Sequence, residues 1–252
     1  MKKLKIVLLV LVLIFAAHGV MQTQEVQAKE TSSKDVKDGL KKVKGSYYYY
    51  KSGKKVKKKW VTIKKNMYYF TKNGSAAIGW AKISDKAYYF NQKGIMQKSK
   101  KIEGIKLDKK GQASFKKERV QLKFQVIDIV KKQKSLKNCY NYVTKFKYRG
   151  AFESLTKADW EVTYALNALK QKSGNCYSYA TAFAMLAREC DYDAKIVTGT
   201  MSKDGDSERP HAWVEIDGKI SDPQSENAMK LDFYGKLPSE ISAITYQAKK
   251  RI

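Results

Sequence analysis

Trp60, Tyr68, Tyr69, Phe70 and Gly74 recur twenty residues later as Trp80, Tyr88, Tyr89, Phe90 and Gly94. Tyr48-Tyr49-Tyr50 stands twenty residues before the first of these triplets, with Gly53 one place out of register. Ile105 to Gly111 forms a degenerate last copy. A unit this short cannot enclose a core, so each must bury its apolar face on the next. Aromatic residues favour strands, and the glycine after them supplies the positive φ of a turn. Residues 45–118 are therefore expected to form a solenoid of β-hairpins.

The charge of the chain belongs mostly to that array. The 252 residues carry 51 Lys and Arg against 24 Asp and Glu, a net +27. Residues 29–120 hold 27 basic and 7 acidic side chains, whereas residues 121–252 hold 21 and 16. Five of the six residues from Lys54 to Lys59 are lysines. Such a field concentrates a polyanion. At the start of the chain, Lys2, Lys3 and Lys5 precede an apolar run from Ile6 to Ala17, and Val26-Gln27-Ala28 follows. That order predicts a secretory signal peptide over 1–28, with an apolar run too short to span a bilayer. Residues 29–44 read as a polar linker, and no membrane span is expected after cleavage. Export turns the basic field away from nucleic acid. The polyanions left are teichoic-type wall polymers, anionic lipid head groups or host glycans.

Beyond Val120 the period lengthens to that of helices. Leu122, Val126, Ile127, Ile129 and Val130 supply one apolar face, and Leu136, Tyr140, Val143 and Phe146 a second. Ala158 to Lys170 and Asn175 to Glu189 predict two more helices. Ala194–Thr198, His211–Ile216 and Lys219–Ser221 read as strands, the last two joined by Asp217-Gly218. Helices followed by an antiparallel sheet make residues 119–252 an α+β domain.

Three residues there carry chemistry. Gly174 is expected to break the preceding helix and Asn175 to cap the next, which puts Cys176 in a first helical turn. Partial positive charge at that place, with an imidazolium beside it, stabilises a thiolate, the nucleophilic form of cysteine. His18 lies in the segment expected to be removed, which leaves His211 as the remaining histidine. If the strands around Asp217-Gly218 pair, Asp222 falls beside His211, where a carboxylate fixes the imidazole's tautomer. Cys139 and Cys190 either pair as a disulfide or stay as buried thiols; no CxxC pair points to zinc. Asp204, Asp206 and Glu208 form an acidic loop whose spacing is weak for calcium.

Two resemblances add to this reading. Residues 45–113 resemble the cell-wall-binding repeats of choline-binding and glucan-binding surface proteins, by period, Trp position, aromatic triplet and glycine. The resemblance implies ligand contacts from Trp60, Tyr68, Tyr69, Trp80, Tyr88 and Tyr89, and in that family aromatic cages hold a quaternary ammonium. The lysines here would repel a cation, so an anionic or glycan wall polymer is preferred to choline. Trp60 and Trp80 are otherwise hairpin core only. The second resemblance runs from about residue 120 to 235. Gly174 through Cys176 to Ala187, Asp193 to Gly199, Pro210-His211-Ala212-Trp213-Val214-Glu215 and Ser221-Asp222-Pro223 are similar to the transglutaminase-like superfamily. The match implies a papain-like domain with Cys176 as nucleophile, His211 as general base and acid, and Asp222 as orienting carboxylate. Gln224 stands where that family often has Thr. The implied reaction is acyl transfer from, or hydrolysis of, amide bonds in proteins or peptides, with no cofactor and no metal. The alternative is a non-catalytic adhesin that binds wall or glycan.

Overall fold

The computed structural model describes residues 37–150, 155–203 and 206–252; the expected signal peptide, the first half of the expected linker and Asp204 lie outside the described residues. Strand β1 (Gly39–Val43) pairs with β2 (Ser46–Lys51), so hairpins begin inside the stretch read as linker. The reason is apolar: Leu40 lies opposite Tyr49, and both pack against the cluster of Tyr68 and Phe70. β3 (Lys54–Lys55) extends that sheet. β4 (Lys59–Ile63) pairs with β5 (Asn66–Phe70), and β6 (Gly79–Ile83) with β7 (Lys86–Phe90). The register sets Trp60 across from Tyr69 and Trp80 across from Tyr89. β8 (Lys101–Ile102) and β9 (Ile105–Lys106) close the array, and β10 (Ala113–Ser114) joins the edge of β7.

The repeats are stitched by a bond that itself repeats. The Ala76 N–H donates to the Tyr47 carbonyl at 2.7 Å, and twenty residues on the Met96 N–H donates to the Met67 carbonyl at 2.9 Å. Phe70 and Phe90 are completely buried between units. Gly94 has φ +75°, and a Cβ there would meet the Cβ of Ala76 at 2.9 Å. Both the turn and the stacking distance therefore require glycine.

Helix α1 (Glu118–Gln133) belongs to two cores. Its Val120 packs with Ile105 and Leu107 of the last repeat, while Leu122 and Val126 pack with the helices that follow. The ammonium of Lys123 on the same helix pairs with Glu103 of the last repeat and with Glu189. α2 (Leu136–Thr144), β11 (Lys147–Tyr148) and α3 (Trp160–Gln171) come next. α3 ends before the expected breaker: Lys172 adopts φ 51° and its N–H returns to the Ala168 carbonyl. Ser173 and Gly174 are thereby freed to form β12 (Ser173–Gly174), which pairs in parallel with β11.

α4 (Cys176–Glu189) is the central element. A helix buried all round must be apolar all round, and Ala180, Ala182, Phe183, Ala184, Leu186 and Ala187 meet that demand. It packs on an antiparallel sheet of order β15-β14-β13-β16, made of β13 (Lys195–Ser202), β14 (Arg209–Ile216), β15 (Lys219–Ser221) and β16 (Thr245–Arg251). Ala212 and Val214 face the helices, whereas Trp213 packs with Val197 and Ile220 in a separate cluster. α5 (Pro223–Met229) leaves the end of β15 directly. The fold is mixed α+β, with hairpin repeats ahead of a helical and sheet unit. Among the described residues no helix is long and apolar enough to cross a membrane.

β16 was not expected from the sequence, and its fit depends on one missing side chain. The pairing of β13 with β16 shifts register between Thr198 and Gly199. A Cβ on Gly199 would lie 2.0 Å from the Gln247 carbonyl oxygen, which is backbone and cannot turn away. Gly199→Ala is expected to lower the free energy of unfolding by about 1–3 kcal/mol, the usual cost of forcing atoms into filled space. The shift of the urea midpoint measures it.

Candidate active site

Asn175 is extended, at φ −93° and ψ −174°, and its Oδ1 accepts from the Ser178 N–H at 3.2 Å. That cap makes Cys176 the first residue of α4, where backbone N–H groups have no partner within the helix. His211 stands on β14. The turn at Asp217-Gly218 sets Val214 opposite Ser221, so Asp222 follows on beside Trp213. All three side chains are buried, Cys176 to 8% exposure, His211 to 3% and Asp222 to 0%. His211 Nε2 lies 2.7 Å from Asp222 Oδ2. Cys176 lies close enough to the same ring to help hold its proton, and Nε2 is the nitrogen engaged by Asp222. The three residues named from sequence are brought together.

The carboxylate of Asp222 is fully engaged. Oδ1 accepts from the Gln224 and Ser225 N–H groups, at 3.2 and 3.0 Å, and so caps α5. Oδ2 accepts from His211 and from the hydroxyl of Tyr246 at 2.8 Å. Burial pushes Asp222 toward its neutral form, but the charge of His211 and these donors outweigh it and hold the acid below its ordinary 3.8. Burial likewise pulls His211 down. Attraction to Asp222, their hydrogen bond and the contact with Cys176 overcome that and raise it to about 10. Sequence reasoning missed Tyr246; the alternation Ile244, Tyr246, Ala248 was the signal for its strand. Its ring centroid lies 4.8 Å from that of Trp213 and 6.2 Å from that of His211.

The expected ligand residues of the repeats divide. Trp60 gathers Tyr69 at 5.2 Å and Tyr88 at 4.9 Å between ring centroids, from two successive hairpins, with Phe90 at 5.8 Å. Trp80 and Tyr89 form a separate pair at 5.3 Å against the core of Ile105 and Leu107. Tyr68 is buried and stacks on Phe70. The chain's own cations lie over other rings, Lys55 Nζ at 4.1 Å from the Tyr48 centroid and Lys42 Nζ at 5.5 Å from that of Tyr47. Cys139 and Cys190 are free thiols close enough to influence each other, and burial pushes Cys139 up to about 12. Glu208 accepts from Thr200 and Gln247. Among the described residues no group of three or more His, Cys, Asp or Glu is placed to hold a metal ion.

The ion pair makes stability depend on pH. His211 is raised above its ordinary 6.5, so folding retains a proton that the unfolded chain loses. Its contribution is whole below pH 6.5 and is lost as pH rises through about 10. Asp222 is lowered, so its contribution holds above pH 3.8 and is lost as pH falls through the folded value. Between pH 7 and 9 the wild type should lose stability more steeply than His211→Gln, by up to about 1.4 kcal/mol per pH unit. Cys139 and Cys190, also raised, act alike in both proteins. Urea midpoints across that range measure the difference in slope.

Comparison with known proteins follows the same division of the chain. Residues 127–221 match the transglutaminase-like superfamily. Residues 58–76 and 78–96 each match the putative cell wall binding repeat. Among solved structures, a choline binding domain from Streptococcus pneumoniae is 28% identical, covering 31% of this chain and 94% of its own, at a TM-score of 0.29. The modular Cpl-1 endolysin, complexed with a peptidoglycan analogue, is 30% identical over 24% of this chain and 18% of its own, at a TM-score of 0.23. Choline binding protein F from Streptococcus pneumoniae, in the presence of a peptidoglycan analogue, is 25% identical over 31% of this chain and 26% of its own, at a TM-score of 0.29. The chain thus spans about a fifth to a quarter of the length of those two larger proteins. A search of curated proteins gives no match. The chain joins cell wall binding repeats to a transglutaminase-like domain.

Proposed function

We propose that this is an exported cysteine enzyme, held at the cell wall by its repeats, that acts on amide bonds of proteins or peptides through a thioester. The observation that carries the reading is the imidazole of His211, held at 2.7 Å by Asp222, with Cys176 beside it at the start of a helix. With the proton of the thiol already passed to His211, the sulfur of Cys176 attacks the amide carbonyl carbon. The tetrahedral oxyanion accepts from the Cys176 N–H at the helix start. The C–N bond then breaks as His211 gives its proton to the leaving amine, and the acyl group stays on sulfur. Water or a second amine attacks the thioester, its proton passes to His211 and then to sulfur, and a carboxylate or a new amide is released. Asp222 holds the ring throughout and stabilises its charged form.

Incubation of wild type and Cys176→Ala with peptide libraries, with and without a primary amine, tests this. Mass gain from the amine marks a transferase, and cleavage marks a peptidase; both should vanish in the variant. Identical products from the two proteins would sink the enzyme reading.

The repeats support attachment to a wall polymer, since two of them match the wall binding repeat. An anionic polymer suits them better than choline. Lysines crowd the array and already lie over Tyr47 and Tyr48, and each phosphate neutralised releases counterions. Binding of the whole chain to purified walls should therefore weaken at least tenfold between about 50 and 300 mM salt. Salt-insensitive binding that free choline displaces would assign the Trp60, Tyr69 and Tyr88 cluster to a quaternary ammonium instead.

A further inference from the structure

Tyr246 has no part in the chemistry above, yet its hydroxyl donates at 2.8 Å to the same Asp222 oxygen that receives His211. It arrives there from the last strand of the chain, across β13 from Met201. Phenylalanine would fill the ring's place against Trp213 equally well, so the hydroxyl is what needs a reason. The other oxygen, Oδ1, is already fixed by two backbone N–H groups.

We infer that Tyr246 is a positioning residue whose hydroxyl, by sharing Oδ2 of Asp222 with His211, fixes the plane of the carboxylate and limits its pull on the imidazole proton. The inference rests on the reading of Cys176, His211 and Asp222 as an acyl-transfer triad. In that reaction the imidazole must give its proton to the leaving amine, and a carboxylate that holds an imidazolium too firmly makes it a poor acid. A second donor on Oδ2 withdraws part of the charge that His211 feels. Two donors on each oxygen also leave the carboxylate no free lone pair with which to tilt. The hydroxyl therefore acts on His211 only through Asp222.

The other titratable groups near this pair come from separate elements. Cys176 stands on α4, and Tyr140 on α2 donates at 2.8 Å to Glu226 of α5. None of them is changed by a substitution at 246. In residues 29–252 His211 is the only imidazole, so its ring nitrogens can be followed by NMR without competing signals. Tyr246→Phe should raise the His211 midpoint by about 0.5–1 pH unit, because the carboxylate loses a donor that competes with the ring. Placing 3-fluorotyrosine at 246 keeps the ring and strengthens the donor, and should lower the midpoint. Opposite shifts in the two variants support the inference; a role in packing alone moves neither. Midpoints that stay fixed, or that move the same way, would overturn it. If Tyr246→Phe fails to fold, the fluorinated chain alone decides, since its ring is preserved. The titration needs no substrate, so it reports on Tyr246 whether or not the chain turns over an amide.

Discussion

The carboxylate of Asp222 is the point on which the transglutaminase-like half depends. It has no exposure to solvent, so its charge survives only through partners. Leaving such a charge unpaired costs about 3–5 kcal/mol, a large share of the stability of a domain. Four donors meet it: two backbone N–H groups of α5, the imidazole of β14 and the phenol of β16. These come from three parts of the chain, and the imidazole and the phenol do not reach the carboxylate unless the sheet has formed in register. The group that orients the imidazole therefore also ties the hairpin, the short helix and the last strand to one another.

Cys176 approaches this assembly from the opposite direction, on a helix placed by independent means. α4 is positioned by burial of nearly its whole surface, and its start is fixed by the Asn175 cap. The sulfur stands at the helix's first residue while small side chains bring the helix onto β14. Two rigid supports thus meet at the imidazole. Preorganisation of this kind lets a charge form on sulfur and nitrogen without rearrangement of the surroundings. It is more exact than a site built on loops, whose positions fluctuate.

Much of this was legible in the sequence because local chemistry dictated it. Asn175 before Cys176 announced a capped helix, Asp217-Gly218 announced the turn, and a two-residue loop fixes which residues face each other. The aromatic triplets gave the hairpins by their period. What escaped was set by distant contacts. Leu40 looked like part of a linker until Tyr49 lay across from it. Lys172, not Gly174, ends α3 in a left-handed conformation that lysine adopts only when its surroundings hold it there. Tyr246 sits in a strand with mostly exposed residues, where the apolar half of the alternation is too sparse to stand out. Its partner is twenty-four residues away, and no local rule joins a phenol to a carboxylate over that span.

The link between the two halves follows from how α1 is shared. Val120 is buried in the core of the last repeat and Leu122 and Val126 in that of the helices, within two turns of one helix. Lys123 between them is only 17% exposed and holds Glu103 of the repeats and Glu189 of α4 at once. A flexible tether would raise the local concentration of the enzyme at a wall but leave its orientation free. A shared helix with a bridging, mostly buried ion pair fixes orientation as well. Desolvation pulls Lys123 down, yet the two carboxylates outweigh it and raise the ammonium above its ordinary range, so the bridge persists from the pH at which the carboxylates ionise to beyond the point where a free lysine loses its charge. A polymer bound along the basic array would then present its attached peptides to Cys176 at one angle. Under the proposed function, selection among amides would begin with that geometry, before any contact inside the site.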